Sequence, residues 1–245
     1  MNILIDAIAW LADAAHWDGP SGIWARITEH LGVTVMIVAI AAIVAVPVGI
    51  LIGHTGRFSN IITLLTGAAR AIPTLGLLTL VGLWMGIGLV APSVALLVLA
   101  IPPLLAGAYS GVASVSASTV DGARAIGLTE KQIIAHVELP AAWPLIMGGL
   151  RSTTLQVVAT ATLAAYTADV GLGRFLYAGL KTRDYAQMIG GALLVVALAL
   201  VLDFLLAVVQ KQVSARVNPQ PPAEMDTVVV SGPNAFSVPI FPKHP

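Results

Sequence analysis

The chain has 245 residues, of which 58% are hydrophobic and only 10% are charged. A soluble domain carries about 25% charged residues and needs polar groups to cover its surface, so this composition excludes an ordinary soluble fold and predicts an integral membrane protein. The formal net charge is zero, which gives no indication of nucleic-acid binding. The chain has no cysteine and its five histidines show no ligand spacing, so we expect neither a metal site nor a cofactor.

The N-terminal segment, residues 1–30, is predicted to lie outside the membrane or in its interface. Residues 1–17 form an amphipathic stretch that is too short to cross a bilayer, which takes about 20 apolar residues. We therefore expect an interfacial helix here, with a short sixth span as the alternative. The stretch is not a convincing signal peptide, because it lacks a basic start and carries Asp6 and Asp13 within its apolar part.

Five later segments are long and apolar enough to cross a membrane as helices. Together they predict an all-α integral membrane domain with a bundle of five spans over residues 31–212. The expected spans are approximately 31–53, 58–88, 92–112, 141–168 and 188–209.

Pro73 and the C-terminal residues 213–245 lead to two further predictions. The second span is long and contains Pro73, where the missing N–H predicts a kink; two short helices with a tight turn between them are the alternative. Residues 213–245 are polar, rich in proline and without helical periodicity, so they are predicted to form a disordered cytoplasmic tail.

The polar stretch between the third and fourth spans predicts two short helices. Ser116 can cap the first helix, and Gly127 can end it in the left-handed conformation. Thr129 can cap the second helix and form a capping box with Gln132, three residues later. Pro140 is expected to end the second helix and open the fourth span. Two capped helices around a glycine form a rigid projection.

The loop covers residues 116–140 and contains a pattern of fixed spacing. An acidic residue is followed by two small residues. A glycine comes four positions after the second small residue, and an aliphatic-x-Leu-Pro sequence follows. The matching residues are Asp121, Gly122, Ala123, Gly127, Val137, Leu139 and Pro140. This pattern resembles the loop with which the permeases of bacterial binding-protein-dependent ABC importers dock their ATPase. Asp121 stands where that family has Glu, and Gly122 where it has Ala. The resemblance implies that the loop is a cytoplasmic coupling helix.

Other stretches resemble the osmoprotectant permeases of the same family, which carry glycine betaine, carnitine or choline. The resemblance covers roughly residues 30–212 and implies the five-span fold called MetI-like. One departure is Asp169-Val170 before Gly171-Leu172-Gly173, where the family is richer in glycine. The matching stretches are residues 53–57, 70–78, 101–107, 148–151 and 159–166.

The same resemblance implies the partners of the chain. They are an ATPase subunit, a second permease subunit (identical or different), an extracytoplasmic substrate-binding protein and the lipid bilayer. The chain has no Gly-x-x-x-x-Gly-Lys-Ser/Thr sequence, so it is not expected to be an enzyme, and no catalytic residue is predicted. Methionine or another amino acid is the alternative cargo, and a channel or scaffold without an ATPase is the alternative class.

Three charged residues lie inside the predicted spans: Arg70, Arg151 and Asp203. A charge at membrane depth costs at least about 2.5 kcal/mol, so it should face protein or water and find a partner. We expect Asp203 to pair with Arg151 or Arg70 and to brace the bundle. The alternative is that one of the arginines lines the translocation path.

The distribution of basic residues predicts the orientation in the bacterial cytoplasmic membrane. Short cytoplasmic loops are enriched in Lys and Arg. With the N-terminus outside, the inner loops carry Arg57, Arg124 and Lys131, and the C-terminus is cytoplasmic. The bias is mild, and the family resemblance of the coupling loop supports the same orientation.

Overall fold

Ten α-helices follow one another in the part of the chain that the structure, a computed structural model, describes: residues 3–217, 227–229 and 237–239. The helices are α1 (Ile3–Ala12), α2 (Ile23–Thr55), α3 (Ser59–Ala71), α4 (Thr74–Met85), α5 (Val90–Ala113), α6 (Ala117–Ala125), α7 (Glu130–Ile133), α8 (Leu139–Ala161), α9 (Gly173–Thr182) and α10 (Tyr185–Val217). Short 3-10 turns occur at Ala14–His16 and Thr162–Tyr166, and a π turn at Ile134–Glu138. Two short strands, β1 (Thr227–Val229) and β2 (Ser237–Pro239), pair antiparallel.

Among these residues, four continuous helices are long and apolar enough to cross a membrane. They are α2, α5, α10 and the helix that runs without a break from Glu130 to Tyr166. The pair α3 and α4 counts as a fifth span if its two halves are taken together. The predicted all-α membrane fold is therefore confirmed.

The second predicted span is broken rather than kinked. Helices α3 and α4 meet at an angle of 91°, so the expected single helix over 58–88 is wrong and the alternative of two short helices is correct. Ile72 lies between them in an extended conformation, with ψ at 120°. A residue that precedes proline is pushed out of the helical region by the pyrrolidine ring, and Pro73 cannot donate the hydrogen bond that would bridge the break.

The observed helix ends lie outside most of the predicted ones. Helix α2 begins at Ile23 instead of residue 31, because its first two turns bury polar side chains that a hydropathy pattern does not mark. Helix α10 continues to Val217. Within the predicted tail, residues 213–217 therefore extend α10, and 227–229 pairs with 237–239; the rest of 213–245 lies outside the described residues.

The N-terminal helix α1 packs on α10 through one narrow face. Ala7 is fully buried, and the Trp10 ring lies so close to Gly190 that a Cβ there would come within 2.6 Å of it. Ten residues span about 15 Å, half of a hydrocarbon core of about 30 Å. The large apolar side chains of α1 that remain exposed are Ile3, Leu4, Ile5 and Ile8. Placement of α1 in the membrane interface remains a prediction.

The centre of the bundle is formed by α2, α5 and α8, which approach one another at small residues. Gly107 on α5 and Gly149 on α8 face each other so closely that a Cβ on Gly107 would lie 2.8 Å from the Gly149 Cα. A Cβ on Gly49 of α2 would lie 2.6 Å from the Ala108 Cβ. Helices in lipid gain their stability mainly from such close packing.

Candidate coupling loop and the charges around it

The first helix of the loop forms as its sequence predicts. The Ser116 hydroxyl accepts a hydrogen bond from the Thr119 N–H at 3.2 Å and caps α6. Gly127 adopts φ = +91°, and the following Leu128 N–H donates to the Ala123 carbonyl at 3.1 Å. This backbone bond closes the helix end in the way that a left-handed glycine permits. The predicted capped helix and glycine turn are confirmed.

The second helix starts as predicted but does not end at Pro140. Thr129 and Gln132 form the expected capping box, with the Thr129 N–H donating to Gln132 Oε1 at 2.9 Å. The chain then passes through the π turn Ile134–Glu138 directly into α8, and the Leu139 N–H donates to the Ile134 carbonyl. A π turn widens the helix by one residue, and this shift accommodates the ring of Pro140, which would clash with a carbonyl in a regular helix.

The seven predicted docking residues divide into an exposed tip and a buried base. Asp121, Gly122 and Gly127 are exposed at the tip. Ala123 is buried, while Val137, Leu139 and Pro140 are partly buried where the loop joins α8. Ile126, which the sequence pattern did not mark, is 79% exposed at the same tip. The projecting surface therefore combines small residues, Asp121 and the large aliphatic Ile126, with Arg124 and Glu130 also exposed.

Arg124 connects the two helices of the loop. Its guanidinium donates to Asp121 Oδ1 at 3.0 Å, one turn earlier on α6, and to Glu130 Oε1 at 2.8 Å on α7. These hydrogen bonds, chiefly the one to Glu130, raise the pKa of Arg124 above its ordinary value. Asp121 therefore has an intramolecular partner, although its side chain remains 70% exposed.

His54 joins the loop to the end of α2. Its Nδ1 lies 2.9 Å from Glu138 Oε2, and its Nε2 lies 3.2 Å from Glu130 Oε2. Glu138 is only 3% exposed, so the imidazole is the polar group that satisfies it. Each of the two ring nitrogens of His54 therefore faces one carboxylate. The contacts therefore form a continuous chain from the exposed tip, through Arg124 and Glu130, to the first long span.

The charges inside the bundle pair across α8 and α10. Arg151 donates from Nε to Asp203 Oδ1 and from Nη2 to Asp203 Oδ2, each at 2.9 Å. Its Nη1 donates to Gln210 Oε1 at 3.0 Å, and the Gln210 amide donates to the Pro144 carbonyl at 2.8 Å. The sequence left Arg151 and Arg70 as possible partners of Asp203, and the structure pairs Asp203 with Arg151. The side chain of Arg70 lies outside the described residues.

A second cluster of charges lies at the opposite end of the bundle, between α2 and the loop that precedes α9. Arg26 donates to Glu29 Oε2 at 2.9 Å and to both the carbonyl and the carboxylate of Asp169, at 2.9 and 3.0 Å. Glu29 in turn accepts the Gly171 N–H at 2.9 Å, and Gly171 adopts φ = +77°. Asp169, which departs from the family pattern, is therefore the residue that anchors this loop.

His30 fixes the same loop from inside the bundle. It is 1% exposed. Its Nδ1 accepts the Leu172 N–H at 3.3 Å, and its Nε2 lies 3.0 Å from the Val158 carbonyl. Since Nδ1 is an acceptor, Nε2 carries the proton and donates it to that carbonyl. Over the described part of the chain, no group of His, Asp and Glu residues has the arrangement of a metal site.

The described helices form a membrane bundle with a projection of two short helices at one end. Residues 45–219 match the family described as the binding-protein-dependent transport system inner membrane component. The chain belongs to this family, whose members are the membrane subunits of ABC transporters.

Similar curated proteins cover most of the chain. A choline transport system permease protein of Bacillus subtilis is 31% identical over 76% of this chain and 86% of its own length. A carnitine transport permease protein of Listeria monocytogenes is 33% identical over 73% and 82%. An osmoprotectant import permease protein of Salmonella typhimurium is 33% identical over 73% and 77%.

Among solved structures, an inward-facing form of the MetNI methionine ABC transporter superposes with a TM-score of 0.64. It is 21% identical and covers 80% of this chain and 96% of its own. At this level of identity the likeness concerns the fold alone. It confirms the MetI-like architecture that the sequence resemblance implied.

Proposed function

We propose that this chain is the transmembrane permease subunit of an ABC importer for osmoprotectants. The cargo is a quaternary ammonium compound such as glycine betaine, carnitine or choline, carried across the bacterial cytoplasmic membrane. The observation that carries this proposal is sequence identity above 30%, over most of the chain, to permeases named for choline, carnitine and osmoprotectants. The methionine transporter shares the fold at 21% identity, which does not favour methionine as the alternative cargo.

The energy for transport comes from a partner ATPase that binds the exposed tip of the coupling loop. At the tip, the exposed side chain of Ile126 lies beside Gly122. The space around Gly122 is open, because a Cβ added there would have no atom within 4 Å. A small-residue surface with one aliphatic side chain fits a groove on a partner subunit. Movement of the ATPase then shifts the loop and the helices attached to it, and the cargo site opens to alternate sides.

The remaining partners follow from the same assignment. A second permease subunit completes the membrane domain, and a binding protein delivers cargo from outside. The loop is cytoplasmic, which places the N-terminus outside and the C-terminus inside. The Arg26, Asp169 and Glu29 cluster then lies on the extracytoplasmic side, where it holds the loop before α9 in one shape.

Cross-linking tests the docking proposal. The natural sequence has no cysteine, so Asp121→Cys or Ile126→Cys introduces a single thiol at the exposed tip. Both variants are expected to form an adduct with a co-expressed ATPase that carries cysteines along its docking groove. Thr182→Cys, also exposed but at the end of α9, serves as the control and should give none. A channel or scaffold would give no adduct at any of the three positions.

Uptake of labelled compounds tests the cargo. Cells that lack other osmoprotectant transporters and express the complete transporter should accumulate at least one of glycine betaine, carnitine and choline. Accumulation should stop when the ATPase carries an inactivating Walker-A substitution. Uptake of methionine with none of the three ammonium compounds would transfer the assignment to the amino-acid alternative and leave the permease assignment intact.

A further inference from the structure

Two tyrosines that lie apart in sequence meet at the end of the bundle opposite the coupling loop. Tyr166 is the last residue of the continuous helix that starts at Glu130, and Tyr177 lies on α9. Their ring centroids are 5.8 Å apart and the ring planes are inclined by 50°. Tyr166 is 61% exposed and Tyr177 is partly buried, so the pair presents ring surface at the outside of the subunit.

Tyr177 of this pair also lines an apolar groove between α9, α10 and the 3-10 turn that follows α8. The groove has a volume of about 350 Å³. Its wall includes Leu163, Leu176, Tyr177, Leu180, Met188 and Ile189. No acidic or basic side chain lines it among the described residues. Burial and the neighbouring Tyr166 raise the pKa of Tyr177, so its ring carries a neutral hydroxyl at physiological pH.

This combination fits the chemistry of a quaternary ammonium group. Such a group carries its charge beneath methyl groups and has no N–H, so it cannot be held by hydrogen bonds from nitrogen. Aromatic faces attract it electrostatically, while the methyl groups contact apolar surface. A groove without a carboxylate binds the cation weakly, which suits a site that cargo must leave again on each cycle.

The position of the groove also fits a point of entry. The helix from Glu130 to Tyr166 has 37 residues and is therefore about 55 Å long. The tyrosine pair lies at one end of this helix and the docking loop at the other. With the docking loop on the cytoplasmic side, as proposed above, the tyrosine pair lies at the extracytoplasmic end of this helix, the side from which an importer receives its cargo.

We propose that Tyr166 and Tyr177 form a transient binding site on the permease for the quaternary ammonium group of the cargo. The inference rests on the osmoprotectant function proposed above. It adds that the permease itself recognises the head group, and that recognition is not confined to the binding protein that delivers the cargo.

Substitution and fluorination of the two rings test this site in proteoliposomes that contain the complete transporter. Tyr166→Phe and Tyr177→Phe keep the aromatic face and should transport within about twofold of the natural protein. Tyr166→Leu and Tyr177→Leu keep apolar bulk, and should lower kcat/KM for uptake about three- to tenfold, the size of a partly exposed cation–π contact. Tyr185→Leu, exposed at the start of α10 and outside the groove, is the control and should change nothing.

Phenylalanine analogues with one, two and three ring fluorines then separate charge recognition from packing. Each fluorine withdraws electron density from the ring face and nearly preserves the shape of the ring, so it weakens the attraction for a cation. Uptake should therefore fall stepwise as fluorines are added at positions 166 and 177. Equal uptake across the series would overturn the proposal and leave the groove as a place for a lipid acyl chain. If leucine variants fail to assemble, the fluorine series still decides.

The two proposals fail in different ways. If the natural transporter moves none of the ammonium compounds, the cargo assignment fails and this inference falls with it. If it moves them and the fluorine series is flat, only the tyrosine site is wrong.

Discussion

Gly107→Leu is expected to prevent the permease from folding stably in the membrane. A Cβ at position 107 would lie 2.8 Å from the Gly149 Cα and 3.1 Å from the Leu145 carbonyl oxygen. The obstacle is backbone on the facing helix, which cannot rotate away as a flexible side chain could. Overpacking costs about 1–3 kcal/mol and occasionally more, and the collision with backbone places this substitution at the upper end. The free energy of unfolding, measured by steric trapping in bicelles, should fall by about 3 kcal/mol.

The matched control for this substitution is Gly148→Leu. Gly148 precedes Gly149 on α8, but a Cβ there would meet nothing within 4 Å. We expect a change within about 0.5 kcal/mol, as for most surface substitutions. Equal stability of the two variants would show that the crossing of α5 and α8 is not a close contact in the membrane.

Removal of the Asp203 carboxylate is expected to have the second large effect. Asp203→Leu leaves the Arg151 guanidinium without its bidentate partner between α8 and α10. Losing one member of a buried ion pair costs about 3–5 kcal/mol. The Asp203 and Arg151 side chains are 28% and 31% exposed, so the pair is only partly buried. We therefore expect the free energy of unfolding to fall by about 2–3 kcal/mol. The amount of folded protein in the membrane should fall with it.

The double variant Arg151→Leu/Asp203→Leu removes both charges and should recover most of that loss, since an apolar pair of similar volume replaces a buried ion pair at little cost. The swap Arg151→Asp/Asp203→Arg should recover part of it. Lys211→Ala on the exposed side of α10 is the control. Normal folding of Asp203→Leu together with lost uptake would contradict a bracing role and favour the pathway alternative for Arg151.

Local sequence was sufficient for features whose cause is local. Five apolar stretches predicted the spans, because length and hydropathy fix whether a helix can cross lipid. Ser116, Gly127 and the Thr129–Gln132 pair predicted both helices of the loop, because capping depends on residues three or four apart. Pro73 correctly marked the position of the break in the second span. The sharp angle of that break could not be predicted from the proline, because it depends on how α3 and α4 pack.

Among features that join distant segments, the sequence predicted only the pairing of Asp203, because a charge in lipid needs a partner; the others could not be read from it. His54 and Glu138 are 84 residues apart, and each alone has the character of an ordinary polar residue near a span end. Arg26 and Asp169 are 143 residues apart, so nothing local connects them. The continuous helix through Pro140 was missed because a π turn resolves a local conflict in a way that a proline stop rule does not anticipate.

The unbroken helix from Glu130 to Tyr166 has a mechanical consequence. Gly149 lies near its middle, and there the helix touches α5 backbone to backbone at Gly107. A stiff rod held at its midpoint behaves as a lever with arms of nearly equal length. A tilt of about 10° around this fulcrum would move the His54-linked end and the Tyr166 end by roughly 5 Å each, in opposite directions. A displacement of the loop would then be matched by a displacement of similar size and opposite direction at the Tyr166 end.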